Sequence, residues 1–264
     1  MIDDKCRIGI DVGGTFTDIV AVSEAGTVTF AKATSTPSDP SIGVMNAVER
    51  LADELGISSK NLLSKTESIV HGTTVATNAL LERKGAKTGL LTTLGHRDVL
   101  EMREGLKDDR YNMRLPAPDP LVPRYLRLGV RERIKPDGFV HTKLDVASLD
   151  QAIEKLRQEE VTSVAVCYLH AYKEPKHEKE TKKILEAKLP GVSVSLSSEV
   201  FPEIKEYERV STTIVNAYVR PIVENYLNRL EERLKNAGYK GAVLIILSHG
   251  GVAPIEEAIR LSAA

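Results

Sequence analysis

Four short stretches carry residue types whose spacing could do chemistry: DVGGTFTD at 11–18, HGTT at 71–74, HRD at 96–98 and SHGG at 248–251. In the first, two glycines stand between an aspartate and two threonines. Gly13 and Gly14 tolerate positive φ and let a backbone approach a ligand closely. Free N–H groups in such a turn form an anion nest, and the hydroxyls of Thr15 and Thr17 add donors. Asp11 is an oxygen ligand of the kind Mg²⁺ takes, directly or through water. The plain alternative is a Gly-Gly hairpin with polar flanks. The helix-based phosphate loops GxGxxG and GxxxxGK[ST] are excluded, because each needs a helix after its glycines. Here β-forming residues follow: Phe16, Ile19, Val20 and Val22.

HGTT joins an apolar strand to a helical pattern. A helix N-terminus leaves free N–H groups, which Thr73 or Thr74 can cap. The functional reading is an anion or carbonyl site with His71 as donor or proton carrier. The other is a capped turn with a structural histidine and Asn78 as a polar satisfier. SHGG falls at a strand end, a favoured place for ligand loops in α/β folds, which brings in His249 and Gly250. His71 and His249 are the one plausible metal-ligand pair, and no Cys or carboxylate has matching spacing, so zinc is not expected. After another strand end, Arg97 or Arg103 could take a carboxylate or phosphate bidentately; solvated helix charges are the simpler reading. Glu208 and Thr212 share one face of a long helix, in keeping with a structural or interlobe role.

The elements that must position these residues can be read from periodicity. Residues 7–12, 16–22 and 27–33 form a β-meander with the glycines in its first turn. Val44, Val48, Leu51 and Leu55 mark a helix. Residues 67–70 read as a strand, 75–84 as a helix stopped by Gly85, and 88–92 as a strand. The charged, proline-rich stretch 101–124 reads as a long surface loop. Strands at 124–134 and 138–142 flank a Pro136-Asp137-Gly138 turn. Helix, strand, helix and strand follow at 149–159, 163–169, 175–187 and 192–196, a second α/β unit. A helix at 204–236 is broken or kinked at Pro221, and the chain closes with a strand at 242–247 and a helix at 254–261.

Composition narrows the classes. Lys plus Arg number 36 and Asp plus Glu 37, so charge gives no reason to expect nucleic acid or an anionic membrane as partner. Aromatic residues are 5% and Trp is absent, which argues against base-stacking platforms. No apolar run is long enough to span a bilayer. The acidic N-terminus has no signal-peptide profile, and two cysteines cannot build a disulfide framework. A cytoplasmic location is expected.

IGIDVGGTFTDIV resembles the first phosphate motif of the actin, sugar-kinase and Hsp70 ATPase superfamily. VHGTTVATNALLERKGAKTGLLTTLGHRDVLE, SVAVCYLHAY, VSLSSEVFPEIKEYERVSTTIVNAYVRP and the SHGG turn resemble, in order, the hydantoinase A/5-oxoprolinase family, which includes the beta subunit of acetone carboxylase. The similarity runs from Arg7 through nearly the whole chain. It implies an α/β fold: a ribonuclease H-like (actin-like ATPase) N-terminal lobe with an inserted α/β subdomain and no C-terminal lobe. The expected segments are 6–100, 101–200 and 201–264. Family members carry a Ser-Gly-Pro loop and a second Asp-x-Gly-Gly-Thr turn further on, so the chain is expected to be an N-terminal half. The implied activity is ATP-dependent hydrolysis of a cyclic amide, by phosphorylation of its carbonyl oxygen before ring opening. Carbonyl activation as in acetone carboxylase, or a non-catalytic nucleotide- or partner-binding half, are the alternatives. The implied roles are Asp11 and His71 as catalytic residues, and Gly13, Gly14, Thr15 and Thr17 for ATP. Asp11 would also hold Mg²⁺, and Thr73, Thr74, His249 and Gly250 would face the substrate. A hydantoinase B/oxoprolinase-type subunit is the expected partner. In the family the last turn usually reads Ser-Asn-Gly-Gly; here His249 replaces the Asn.

Overall fold

The computed structural model describes residues 5–105, 109, 111–116 and 118–263. The chain forms two compact units. One comprises the residues up to Glu82 together with Ile222–Ser262; the other is Arg83–Pro221. These limits do not coincide with the expected segments 6–100, 101–200 and 201–264: the strand and loop between residues 83 and 100 belong with the second unit.

The first unit is built on β1 (Cys6–Val12), β2 (Phe16–Ser23), β3 (Val28–Thr34), α1 (Pro40–Glu54), α2 (Ser59–Lys65), β4 (Thr66–Thr73) and α3 (Val75–Leu81). The expected meander is present. Its glycine turn is closed by a Gly13 N–H to Phe16 carbonyl bond of 3.0 Å. Asp39 caps α1 by accepting from the Ser41 N–H, and Pro40 opens the helix with its φ already set. Val44, Ala47, Val48 and Leu51, at helical spacing, bury one face of α1 against the sheet. Each of the Val and Leu side chains contributes about 1.5–3 kcal/mol of apolar burial.

The second unit adds β5 (Thr88–Thr93), α4 (Val99–Met102), β6 (Arg127–Val130), β7 (Arg133–Ile134) and β8 (Val140–Thr142). It continues with α5 (Val146–Gln158), β9 (Ser163–Cys167), α6 (Lys176–Lys188), β10 (Ser193–Leu196) and α7 (Ser197–Val200). The single strand expected over 124–134 divides. β6 joins β5 in parallel, and only β7 pairs with β8 around the Pro136-Asp137-Gly138 turn. The sheet order β10-β9-β5-β6 is wholly parallel. Part of the expected 101–124 loop lies outside the described residues.

Helix α8 (Glu206–Asn236) runs through Pro221 without interruption, although the proline removes one hydrogen bond from the ladder. The boundary between the units falls at this residue. β11 (Ala242–Ile246), β12 (Val252–Pro254) and α9 (Ile255–Arg260) complete the first unit, whose sheet order is β12-β11-β4-β1-β2-β3. β1, β4 and β11 are mutually parallel, and the outer strands are antiparallel. Strand β12 and helix α2 are additions to the sequence reading. No helix among the described residues is long and apolar enough to cross a membrane.

Candidate functional site

The carboxyl ends of β1, β4 and β11 stand side by side in the first unit. Val12 pairs with Thr73, and His71 lies between Ile10 and Ile245. Three of the four stretches singled out in the sequence therefore open at one edge of one sheet: the Gly13–Thr15 turn, the Thr73-Thr74 step into α3, and the Ser248–Gly251 turn. Parallel strands of an α/β sheet direct their following loops to this edge, where ligands bind.

Neither Gly13 nor Gly14 is among the positive-φ glycines, so the expected conformational reason for the pair does not apply. The Gly13 N–H is consumed within the turn. A methyl group at Gly13 would come within 3.3 Å of the Phe16 carbonyl, whereas one at Gly14 would meet nothing within 4 Å. The packing of the described residues does not itself require glycine at position 14. The amides of Gly14 and Thr15 have no hydrogen-bond partner among the described residues, and the Thr15 side chain is exposed. Thr17 behaves differently from its expected role. It is fully buried and hydrogen-bonds Ser35 at 3.0 Å, and Ser35 in turn donates to the Gly13 carbonyl at 2.8 Å. Thr17 positions the turn from beneath instead of reaching a ligand.

Asp11 lies on the open face of the sheet, and its carboxylate makes no hydrogen bond or ion pair among the described residues. Across the hairpin, Asp18 is paired with Lys32 at 3.0 Å. On the other side, a Cβ at Gly72 would lie 3.3 Å from Asp11 Oδ1; glycine at this position leaves the carboxylate its room. No group of three His, Cys, Asp or Glu residues that could hold a metal ion occurs among the described residues. A single free carboxylate suits an ion that keeps most of its own water, as Mg²⁺ does.

His71 does not face this opening. It is 0% exposed, and its Nε2 hydrogen-bonds the Tyr226 hydroxyl at 2.6 Å. Burial lowers its pKa to about 4, with the Ile10 backbone acting in the opposite sense. The ring is therefore neutral at ordinary pH and buried, unlike the exposed donor expected of it. Tyr226 is buried, which raises its pKa, and the Thr73 side chain partly offsets that shift. Thr73 accepts from the Val75 N–H at 3.3 Å, while Thr74 occupies the cap position of α3 without capping it through its side chain. Its hydroxyl accepts from Asn78 Nδ2 at 3.1 Å. In the last turn, Gly250 holds φ +88 and is exposed, and His249 folds back to accept from the Gly251 N–H at 3.3 Å. Sequence reasoning missed Ser35 and Tyr226, and gave Gly72, within HGTT, no role beside Asp11. Tyr226 stands 155 positions from His71, and no local spacing signals such a partner.

The chain belongs to the hydantoinase/oxoprolinase family. The family's N-terminal-region model matches residues 7–189, and the hydantoinase/oxoprolinase model matches residues 209–264. The chain is 40% identical over 256 residues to caprolactamase subunit alpha of Pseudomonas jessenii, spanning 96% of the chain and 37% of that protein. The crystal structure of the ATP-dependent caprolactamase from the same organism superposes with a TM-score of 0.86 at 40% identity, over 94% of this chain and 36% of the other. Nucleotide-free acetone carboxylase superposes with a TM-score of 0.87 at 27% identity, over 97% and 38%. The chain thus spans little more than a third of the length of these relatives.

Proposed function

We propose that this chain supplies the phosphate-binding turn of an ATP-dependent cyclic amide hydrolase. In that reaction class the terminal phosphoryl group of ATP goes to a lactam or imide carbonyl oxygen, and water then attacks the activated carbon and opens the ring. The observation that carries the reading is the open Gly14-Thr15 turn, with its unused amides, at the same sheet edge as the unpaired Asp11 carboxylate. The sheet order, three antiparallel strands followed by parallel β4 and β11, supports the ribonuclease H-like, actin-like ATPase assignment.

The amides of Gly14 and Thr15, with the Thr15 hydroxyl, would contact phosphate oxygens. Fixed donors of this kind stabilise charge on a transferring phosphoryl group. Asp11 would hold Mg²⁺ through water, and the ion would supply charge neutralisation. Thr74 and Gly250, both exposed at this edge, with Thr73 and His249 beside them, would face the carbonyl substrate. Gly13, Thr17, His71 and Tyr226 would fix the loops. The second half of the phosphate clamp, a partner subunit and a cytoplasmic setting belong to the same proposal; the relative's designation as a subunit supports the partner.

Gly14→Ala tests it cleanly, because the fold accommodates the methyl group. In the complete enzyme, lactam-dependent ATPase activity should fall about 10²-fold with an unchanged Tm, and Asp11→Ala should act in the same direction. Full ATPase activity in Asp11→Ala would defeat the reading. The likeness to acetone carboxylase favours a second reading, ATP-dependent activation of a ketone carbonyl. Product analysis decides between them: a ring-opened amino acid in one case, a carboxylated ketone in the other.

A further inference from the structure

The second unit has a switch point at its strand ends, the place where a parallel sheet can open a crevice. In the order β10-β9-β5-β6, chain progression reverses direction between β5 and β9: β6 lies on one side of β5 and β9 on the other. The loops after β5 and β9 therefore diverge, and ligands of parallel sheets bind at such a switch point. Residues 94–98 and 168–172 form its rims. They place His96 and His170 there, with Arg133, Tyr172 and Glu206 close enough to share their electrostatic field.

We infer that this crevice binds a small zwitterion of the amino-acid type, its carboxylate on Arg133 and the two histidines and its ammonium group toward Glu206.

The hydrogen bonding fixes the donors. Arg133 Nη1 lies 3.1 Å from His96 Nε2. A guanidinium has no acceptor, so His96 accepts at Nε2, is neutral, and carries its proton on Nδ1. Burial first and the Arg133 charge second both lower the His96 pKa; His170 is lowered chiefly by burial. Neither Arg133 nor Glu206 has an ion-pair partner among the described residues. The other acids and bases near the rings are already engaged. Glu132 accepts from the Thr93 hydroxyl and pairs with His177 at 2.8 Å. Arg209, 1% exposed, donates to the Glu203 and Tyr168 carbonyls and lies under the Tyr172 ring, 5.3 Å from its centroid. One unpaired cation, one unpaired anion and two neutral rings match a carboxylate and an ammonium on one molecule.

His170 is also held in an uncommon backbone conformation. It holds φ +56, a left-handed conformation costly for a residue with a side chain. The cost is sustained by its carbonyl, which accepts from Lys173 and Glu174 at 2.9 and 3.2 Å. Strain of this kind at a loop rim accompanies ligand sites.

The inference rests on the proposed function only in its biological meaning: opening a cyclic amide produces an amino acid, so the crevice fits that product class. The binding itself stands on the second unit alone.

The test is an NMR titration of ¹⁵N-histidine-labelled full chain with glycine, 4-aminobutyrate and 6-aminohexanoate, and with acetate and butylammonium as single-charge probes. At least one zwitterion should shift both rings saturably with a Kd of about 1 mM, about tenfold tighter than acetate or butylammonium. Arg133→Gln should weaken zwitterion and acetate alike, and Glu206→Gln should bring the zwitterion to the level of acetate. His170→Gly, which relieves the backbone, should bind more weakly without a lower Tm. Absence of saturable shifts with every zwitterion, or acetate binding as tightly as the best of them, would overturn the inference. None of these readouts depends on ATPase activity, so the phosphate-turn proposal and this one fail separately.

Discussion

β1, CRIGIDV, alternates: Cys6, Ile8, Ile10 and Val12 are buried while Arg7 and Asp11 are exposed. β5 and β9, TGLLTT and SVAVC, are buried at every position. Both sets lie in parallel pairings, yet parallel strands are normally covered on both faces and read as continuous apolar runs. The second unit obeys that rule. In the first, one face packs on α1 and the later part of α8, and the other carries Asp11, Asp18, Lys32 and Phe30, the last 70% exposed. The contrast separates two ways of making a site. The first unit offers backbone and open surface at its strand ends. The second places side chains such as His96 and Arg133 at its strand ends, beside a buried polar network of Glu132, Thr93 and His177.

The largest effect should come from breaking that network. Glu132→Ala leaves His177 and Thr93 buried without their shared partner, and should cost about 2–6 kcal/mol, about 1–3 for each group, in urea denaturation. A loss below about 1 kcal/mol would remove the distinction between the units.

Next is the response of the first unit to acid. His71 titrates near 4 in the folded chain against an ordinary 6.5 when unfolded, so the unfolded state binds the proton first. The contribution is fully present above pH 6.5, is lost as pH falls toward 4, and is constant below that. About 3 kcal/mol should disappear over this window, and His71→Phe should remove that part of the pH dependence. An unchanged profile in the variant would show that His71 is not the group involved.

Glycines sharpen the comparison further. A methyl group at Gly89 runs into Leu156, so Gly89→Ala should cost about 1–3 kcal/mol by overpacking. Gly14→Ala, in open space, should leave the melting curve unchanged. Equal effects in calorimetry would contradict the packing described here.

The smallest change is expected on the open face of the first sheet, where Phe30→Ser should stay within about 0.5 kcal/mol. A clearly larger loss for the full-length protein would reveal that this face is covered there.

Much of this organisation was legible in the sequence, and what escaped has physical reasons. The meander, the strand-to-helix step at HGTT, the strand that ends before SHGG and the alternation along 163–196 follow from periods of two and 3.6; the hairpin that SHGG makes between β11 and β12 did not. Position 71 was ambiguous, because a polar residue at a strand end looks the same whether it points outward or into a core. Only Tyr226, supplied from far along the chain, settles that it points inward. Thr17 was misread for the same reason: its hydroxyl is satisfied by Ser35, a pairing set by the β2–β3 register. The division at Glu82 and Pro221 was hidden too, since α8 is one continuous helical pattern whose early residues Val210, Ile214 and Ala217 enter one core and whose Val223, Leu227 and Leu230 enter the other.

That shared helix has a consequence for synthesis. The first unit needs Ile222–Ser262, but its strands β1 to β4 leave the ribosome before residue 83. They must wait for the whole of Arg83–Pro221 to be made, roughly ten to thirty seconds at ordinary translation rates. Over that interval Ile8, Ile10 and Ile69 lack the helix and strand that finish their core. The second unit, contiguous in sequence, can fold during the delay, so the nascent chain completes last the unit whose strands are encoded first.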